Sequence, residues 1–496
     1  MSVKPQYDSY RYVGEICCVK SQSIVECRLP GSEISAILAI HVKVIPGESV
    51  CADGEVQYGG KVLLNIVYED GTRKICRAER GAEFFHKAEN KDVTPACFTK
   101  IRLVAENVSY RREGSGLYVS VIVGATSKVY GGRQTEYLCG GENLIVKKEP
   151  IRILRTVCVS GETESEDEFE TDYVGDILLH SENAVVDRVR AASGEIEVDG
   201  ELHLNICVLK SDESVCCYER IVPYKMQIPC EEAFGDVAVC ARVEIKEAQL
   251  SAGSDEEKGK SKILFTYTLS AVCELSLKEE ISIVKDAFST QARVSLERKK
   301  EGGRCLTKHT KYTERVSGVA ALSPALEGEY TLQAAVLPRA EIVCKRAESG
   351  WEAEGAVAAD VLLCGADGAH RSVALSLPFV FPMDATGDYM EADCVVCGLN
   401  VRRKKNGETE AEATLKVSVW SYKDGEWEYV EKAQEEEIYE KNESAFSVFI
   451  PKAGEDLWAV AKRLSCAPED VEKSNPDLEF PVKEGKRIYI YRQIGE

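Results

Sequence analysis

The stretch Gly54-Glu-Val-Gln-Tyr-Gly-Gly-Lys-Val-Leu-Leu-Asn-Ile66 returns as Gly194-Glu-Ile-Glu-Val-Asp-Gly-Glu-Leu-His-Leu-Asn-Ile206, with six of thirteen positions identical at a fixed offset of 140. A third copy, Gly355-Ala-Val-Ala-Ala-Asp-Val361, places Gly355 with Gly60 and Gly200. Every second position is apolar in all three: Val62, Leu202 and Val357; Leu64, Leu204 and Ala359; Ile66, Ile206 and Val361; Tyr68, Val208 and Leu363. A period of two lines one face of a β-strand. The shared glycine interrupts a run longer than an average strand, which predicts a bulge or bend there. A second anchor, Phe84, Tyr224 and Phe379, keeps its spacing from that glycine, and Pro223 and Pro378 precede the last two. Two anchors at unchanged spacing in three segments establish an internal repeat.

Further along each copy, two more alternating runs flank a charged, glycine-containing connection. The pairs are Ile101–Val108 with Leu117–Val123, Val237–Ile245 with Ile263–Ala271, and Asp393–Val401 with Ala413–Val419. Such pairs predict β-hairpins. The fold expected is mainly β: three repeated antiparallel β-sandwich-like domains, at residues 9–160, 172–298 and 316–434, followed by a small C-terminal module at 444–493. Between them, the acidic run Gly161–Asp172, the locally basic Arg298–Arg315 and the polar Glu435–Ser444 predict solvated linkers.

Composition narrows the function. The 496 residues are 44% hydrophobic and 29% charged, which suits a folded multidomain chain. A formal net charge of −21 disfavours nucleic acid and anionic membrane surfaces, which reward clustered Lys and Arg. No apolar run is long enough to span a bilayer, so no membrane insertion is expected. The opening Met1–Tyr10 lacks a basic start followed by an apolar segment, so no secretory leader is expected. The 20 cysteines are scattered, several inside alternating apolar runs, and read as reduced thiols used as small core residues.

The C-terminal module reads as βααβ. Phe446–Val448 alternates as a strand, and Leu457, Val460, Ala461 and Leu464 recur at helical spacing behind the acidic Glu455 and Asp456. A second short helix opens at Pro468 and stops near Asn475-Pro476, because proline disfavours helix continuation. Val482–Ile490 supplies a turn and a closing strand, with Leu457, Trp458, Ile488 and Ile490 in the module core.

No catalytic constellation emerges. The six histidines are dispersed, and His203 is expected to face the surface of its strand. Cys394 and Cys397 sit three apart, on opposite faces of a strand, which argues against shared metal chelation. Gly253–Ser261 has one residue too many between its glycines for a phosphate loop and carries three acids, so it reads as a charged turn. No nucleophile elbow is present. No enzyme activity, metal or cofactor is expected.

The repeat, with its glycine-led core strand and the Pro-aromatic pairs Pro223-Tyr224 and Pro378-Phe379, resembles the SPOCS domain of spore-coat proteins over roughly residues 10–435. The C-terminal module resembles LysM: a strand, Gly454-Glu-Asp-Leu-Trp458, Val460-Ala461, Asn475-Pro476, then Val482-x-x-Gly485-x-x-Ile488-x-Ile490. Glu455-Asp456 stands where Asp-Thr is commoner, and Tyr491 where proline is usual. The LysM resemblance implies a shallow groove walled by Gly454, Glu455 and Asp456 and by Asn475, Pro476, Asp477 and Leu478, which binds either N-acetylglucosamine glycan or a protein. Together the two resemblances imply a spore-coat morphogenetic scaffold at the forespore surface in the mother-cell cytosol. Its partners would be the basal-layer coat ATPase or other coat proteins. A peptidoglycan-binding protein of wall or cortex is the alternative.

Overall fold

In a computed structural model, residues 2–30, 34–114, 116–171, 175–235, 237–255, 260–323, 330–348, 350–404, 408–439 and 446–491 are described. The first repeat contains β1 (Lys4–Leu29), β2 (Ile34–Ala52), β3 (Glu55–Asp70), β4 (Ile75–Glu89), β5 (Phe98–Glu113) and β6 (Gly116–Glu142). They form two antiparallel sheets, β2-β3-β4 and β1-β6-β5. The second repeat follows the same plan with β7 (Ile145–Thr171), β8 (Gly175–Ala192), β9 (Glu195–Lys210), β10 (Val215–Pro229), β11 (Ala238–Asp255) and β12 (Lys260–Phe288), paired as β8-β9-β10 and β7-β12-β11. The third comprises β13 (Ala292–Val319), β14 (Ala321–Ser323), β15 (Tyr330–Ala347), β16 (Gly350–Gly365), β17 (His370–Met383), β18 (Tyr389–Arg403) and β19 (Thr409–Ile438). Its sheets are β15-β16-β17-β14 and β13-β19-β18. The mainly β, sandwich-like expectation holds, and the three predicted hairpins are β5–β6, β11–β12 and β18–β19.

Alternation builds each core. Along β17, Val373, Leu375, Leu377, Phe379, Phe381 and Met383 are buried, while Pro378, Val380 and Pro382 between them are exposed. The two prolines, which cannot donate to a ladder, lie past the short stretch where β14 pairs with β17. Each glycine anchor sits directly across from its aromatic partner: Gly60 faces Phe84, Gly200 faces Tyr224 and Gly355 faces Phe379. The reason is spatial. A Cβ on Gly60, Gly200 or Gly355 would come within 2.5, 2.1 or 2.0 Å of the carbonyl oxygen of Ile45, Val185 or Glu341 on the other flanking strand. The aromatic ring then covers the bare backbone, and the Tyr224 hydroxyl donates to Val185 O at 3.0 Å. The expected bulge lies not on the glycine strand but on its neighbour, between Pro46 and Ser49 in β2 and between Val186 and Arg188 in β8.

Two of the three expected linkers are strands. Gly161–Thr171 belongs to β7 and pairs with β12; Asp172 lies outside the described residues. Its acids alternate, with Glu162, Glu164, Glu166, Glu168 and Glu170 outward and Phe169 and Thr171 buried, and Lys246 and Lys262 pair with Glu162 and Glu168. Arg298–Arg315 is likewise the middle of β13, opposed on β19 by Glu431, Glu426 and Asp424. Strand pairing therefore starts the second unit at Ile145 and the third at Ala292, not at 172 and 316. Of Glu435–Ser444, the first four residues finish β19, and 440–444 lie outside the described residues.

The three units surround a common axis. Leu38, Ala39 and Val67 of the first meet Leu178, Leu179 and Cys207 of the second and Ala334, Val336 and Leu362 of the third in one apolar cluster. The longest strands run beyond the sandwiches as three two-stranded ribbons, β1–β6, β7–β12 and β13–β19. Equally spaced residues of the ribbons pack together: Tyr137 with Ile283 and Tyr429, and Leu138 with Val284 and Val430. The body is a pseudo-threefold trimer in one chain. Beyond it stands the βααβ module: β20 (Phe446–Phe449), α1 (Leu457–Leu464), α2 (Pro468–Ser474) and β21 (Ile488–Tyr491). The terminal residues of the predicted span 444–493 lie outside the described residues.

Candidate functional site

The module is set by local chemistry. Asp456 caps α1, its carboxylate accepting from Ala459 N at 2.8 Å, and Lys462 and Arg463 occupy the last turn, where cations favour the helix C-terminus. Pro468 opens α2 with Glu469 and Asp470 in its first turn. Gly454 holds a left-handed φ of +87°, so that its N–H reaches Val482 O while Val482 N reaches Glu455 O, both at 2.9 Å. The Glu455 carboxylate accepts from Lys452 N at 2.9 Å and pairs with Arg463. These contacts close the first loop against the segment before β21.

The second predicted wall is occupied by structural work. Asn475 is buried and saturated: its amide donates to Val471 O and Tyr489 O, both at 2.8 Å, and accepts from Tyr489 N at 2.7 Å. Leu478 is half-buried against the module core, and Pro476 and Asp477 are exposed. Asn475→Ala leaves two carbonyls and one N–H without partners, a cost of about 2–3 kcal/mol to the module. Loss of the module's cooperative thermal transition, followed by Trp458 fluorescence, reads that effect.

A cleft of about 390 Å³ opens elsewhere, lined by Lys147, Asp456, Leu457, Trp458, Pro468, Phe480 and Pro481. Of the seven predicted groove residues only Asp456 lines it. Leu457 and Trp458, read as core residues, are half-buried and divided between core and cleft, whereas Ile488 and Ile490 are buried as expected. Lys147 comes from β7 of the second unit and pairs with Asp456 at 3.5 Å. The indole of Trp458 stands edge-on to Phe288 with centroids 5.1 Å apart, and its N–H donates to Asp286 Oδ2 at 2.8 Å. Lys462 Nζ reaches the same carboxylate at 2.7 Å and Arg298 at 3.3 Å. Burial pushes Asp286 up, but Lys462 and Trp458 outweigh it and hold the carboxyl below its ordinary range. The module is thus clamped to the end of the second ribbon, and the cleft is shared between them. Asp286→Ala strands the indole N–H and two cations, so the module is expected to detach, seen as a rise in radius of gyration by X-ray scattering.

Elsewhere, His203 is buried rather than surface-facing: the third unit covers it, with Cys397 Sγ 3.5 Å from Nε2, and Glu201 Oε2 of its own strand lies 3.4 Å from the same nitrogen. Cys397 is the bulged residue of β18, and Cys394 packs into the third unit's core. Burial pushes the Cys397 thiol up to about 11 and the His203 imidazole down, so neither is poised for nucleophilic chemistry. Among the described residues no group of three or more His, Cys, Asp or Glu is placed to hold a metal, and no helix is long and apolar enough to cross a membrane. The 20 cysteines stand unbridged. The residues between Asp255 and Lys260 in the predicted charged turn lie outside those described. No protein-family model, curated protein or solved structure matches the chain.

Proposed function

We propose that this chain is a non-enzymatic scaffold, a spore-coat morphogenetic protein of the SPOCS–LysM kind, whose C-terminal LysM-like module docks it to a coat protein layer at the forespore surface. The observation that carries this reading is the clamp on Trp458. The first groove loop and the helix it enters already make a protein contact, because Lys147 engages Asp456, and Asp286 and Phe288 engage Trp458. The cleft beside it offers apolar faces with one cation and one anion at the rim, a composition suited to an anchoring side chain of a partner. The basal-layer coat ATPase or another coat protein is the partner proposed.

Glycan binding is the second reading, favoured by the half-buried Trp458 and Phe480 that line the same cleft, whose volume suits a small ligand. Co-sedimentation of the full chain with purified peptidoglycan, beside affinity capture on the purified coat ATPase, separates the two. Retention by the ATPase that is lost in Trp458→Ala, without peptidoglycan retention, is the outcome expected. Saturable retention on peptidoglycan alone would favour the glycan reading.

A further inference from the structure

Of the three junctions between units, two are crossed by the chain, at the short connections between β6 and β7 and between β12 and β13. The junction of the first and third units is crossed by none. This seam is polarised. The third unit contributes carboxylates and the first contributes donors: Glu391 takes Lys128 at 2.6 Å, Asp393 takes Arg102 at 3.1 Å, and Glu435 takes Val3 N at 2.5 Å. Glu301 accepts from Tyr12 at 2.9 Å and from Thr135. Among the described residues, Glu69 with His370 is the one ion pair of opposite sense, and Ala433 N of the third unit donates to the Tyr7 hydroxyl at 3.1 Å.

The two faces differ, so the contact is heterologous, and a heterologous contact closes a ring or propagates a chain according to what it meets. Here the pseudo-threefold arrangement closes it within one molecule. We propose that the same seam is a copy-to-copy surface: opened, the carboxylate face of one chain takes the cationic face of the next, giving a head-to-tail array. Opening also uncovers the apolar residues of the axial clusters, which the next copy re-covers. Closure within the chain has an effective concentration of order millimolar. Dilute protein is therefore a closed monomer, and assembly belongs to crowded surfaces. The scaffold reading supplies only the purpose, and self-association measured without any partner is independent of it.

Two variants decide it. In the first, Arg102→Glu with Lys128→Glu reverses the first unit's face; in the second, Glu301→Lys with Asp393→Lys reverses the third's. Each alone is expected to open its seam and remain monomeric, with a larger radius of gyration than the parent. Mixed, the third unit of the first variant and the first unit of the second restore a native seam, so light scattering should report a doubled mass. A mixture that stays at monomer mass overturns the proposal, as does a variant that keeps the parent's radius. If either variant loses its strand signal in circular dichroism, the parent refolded from acid at rising concentration serves instead. A dimer fraction that climbs with concentration supports the seam; monomer at every concentration overturns it.

Discussion

Gly200→Val should unfold the second unit under conditions where the parent is fully native, at a cost of about 3 kcal/mol or more. The new Cβ would lie 2.1 Å from Val185 O and 2.4 Å from the Tyr224 hydroxyl. The tyrosine could swing away, but the carbonyl is part of β8 and cannot move without breaking the β8–β9 ladder. Adding Tyr224→Ala therefore does not rescue the variant. Gly355→Val should be equally severe, since its Cβ would lie 2.0 Å from Glu341 O. Gly132→Ala and Gly140→Ala are the controls: both lie in β6 with nothing within 4 Å of the added atom. They should change stability by less than about 1 kcal/mol in either direction. Urea denaturation followed by circular dichroism compares all four. Equal midpoints for Gly200→Val and Gly132→Ala would refute the packing account.

That glycine is also where the sequence was most readable. The Gly60, Gly200 and Gly355 anchors and their aromatic partners repeat because one close strand approach recurs in three sandwiches, and spacing alone exposes it. The helices of the module were legible for a similar reason: acidic Asp456 at the start of α1 and Pro468 at the start of α2 are local chemistry, whereas the saturation of Asn475, read as a groove wall, depends on Tyr489 across the module. Composition misled at Gly161–Thr171, where five glutamates look like a solvated tether. Their alternation with buried Phe169 and Thr171 was the strand signal. Nothing local could show that His203 is covered by Cys397, or that Lys147 walls a cleft with Phe480, since both depend on how distant units face each other.

Those facing surfaces lead to the second large effect, acid lability of the body. Each junction sets a carboxylate beside an imidazole: the buried Glu182 with His180 at 3.1 Å, the buried Glu69 with His370 at 2.9 Å, and the half-exposed Glu201 with His203 at 3.4 Å. Lys43 joins the first at 2.5 Å and Lys416 the third at 2.5 Å, with Asp187 3.5 Å from Lys416. His41 faces the first group, and burial pushes it down to about 4 against the pull of Glu182. Burial would raise Glu182, yet the His180 hydrogen bond and the Lys43 ammonium bring it to about 2. The signs follow directly. His41 is neutral in both states above pH 6.5; between 6.5 and about 4 only the unfolded chain takes its proton, so stability falls as pH falls. Glu182 adds a loss from 4.5 down to about 2. Glu244 and Glu274, raised by burial, act oppositely above pH 4.5 and offset part of the His41 loss, but not the Glu182 loss below it. The net expectation is a melting temperature lower by roughly 5–10 °C at pH 4.5 than at pH 7. His309, which burial likewise brings down to about 4, titrates in the same window, so His41→Gln should make the profile shallower between pH 6.5 and 4 without removing its slope, while keeping the loss below 4.5. Parallel profiles for parent and variant in scanning calorimetry would show that His41 does not govern the upper window.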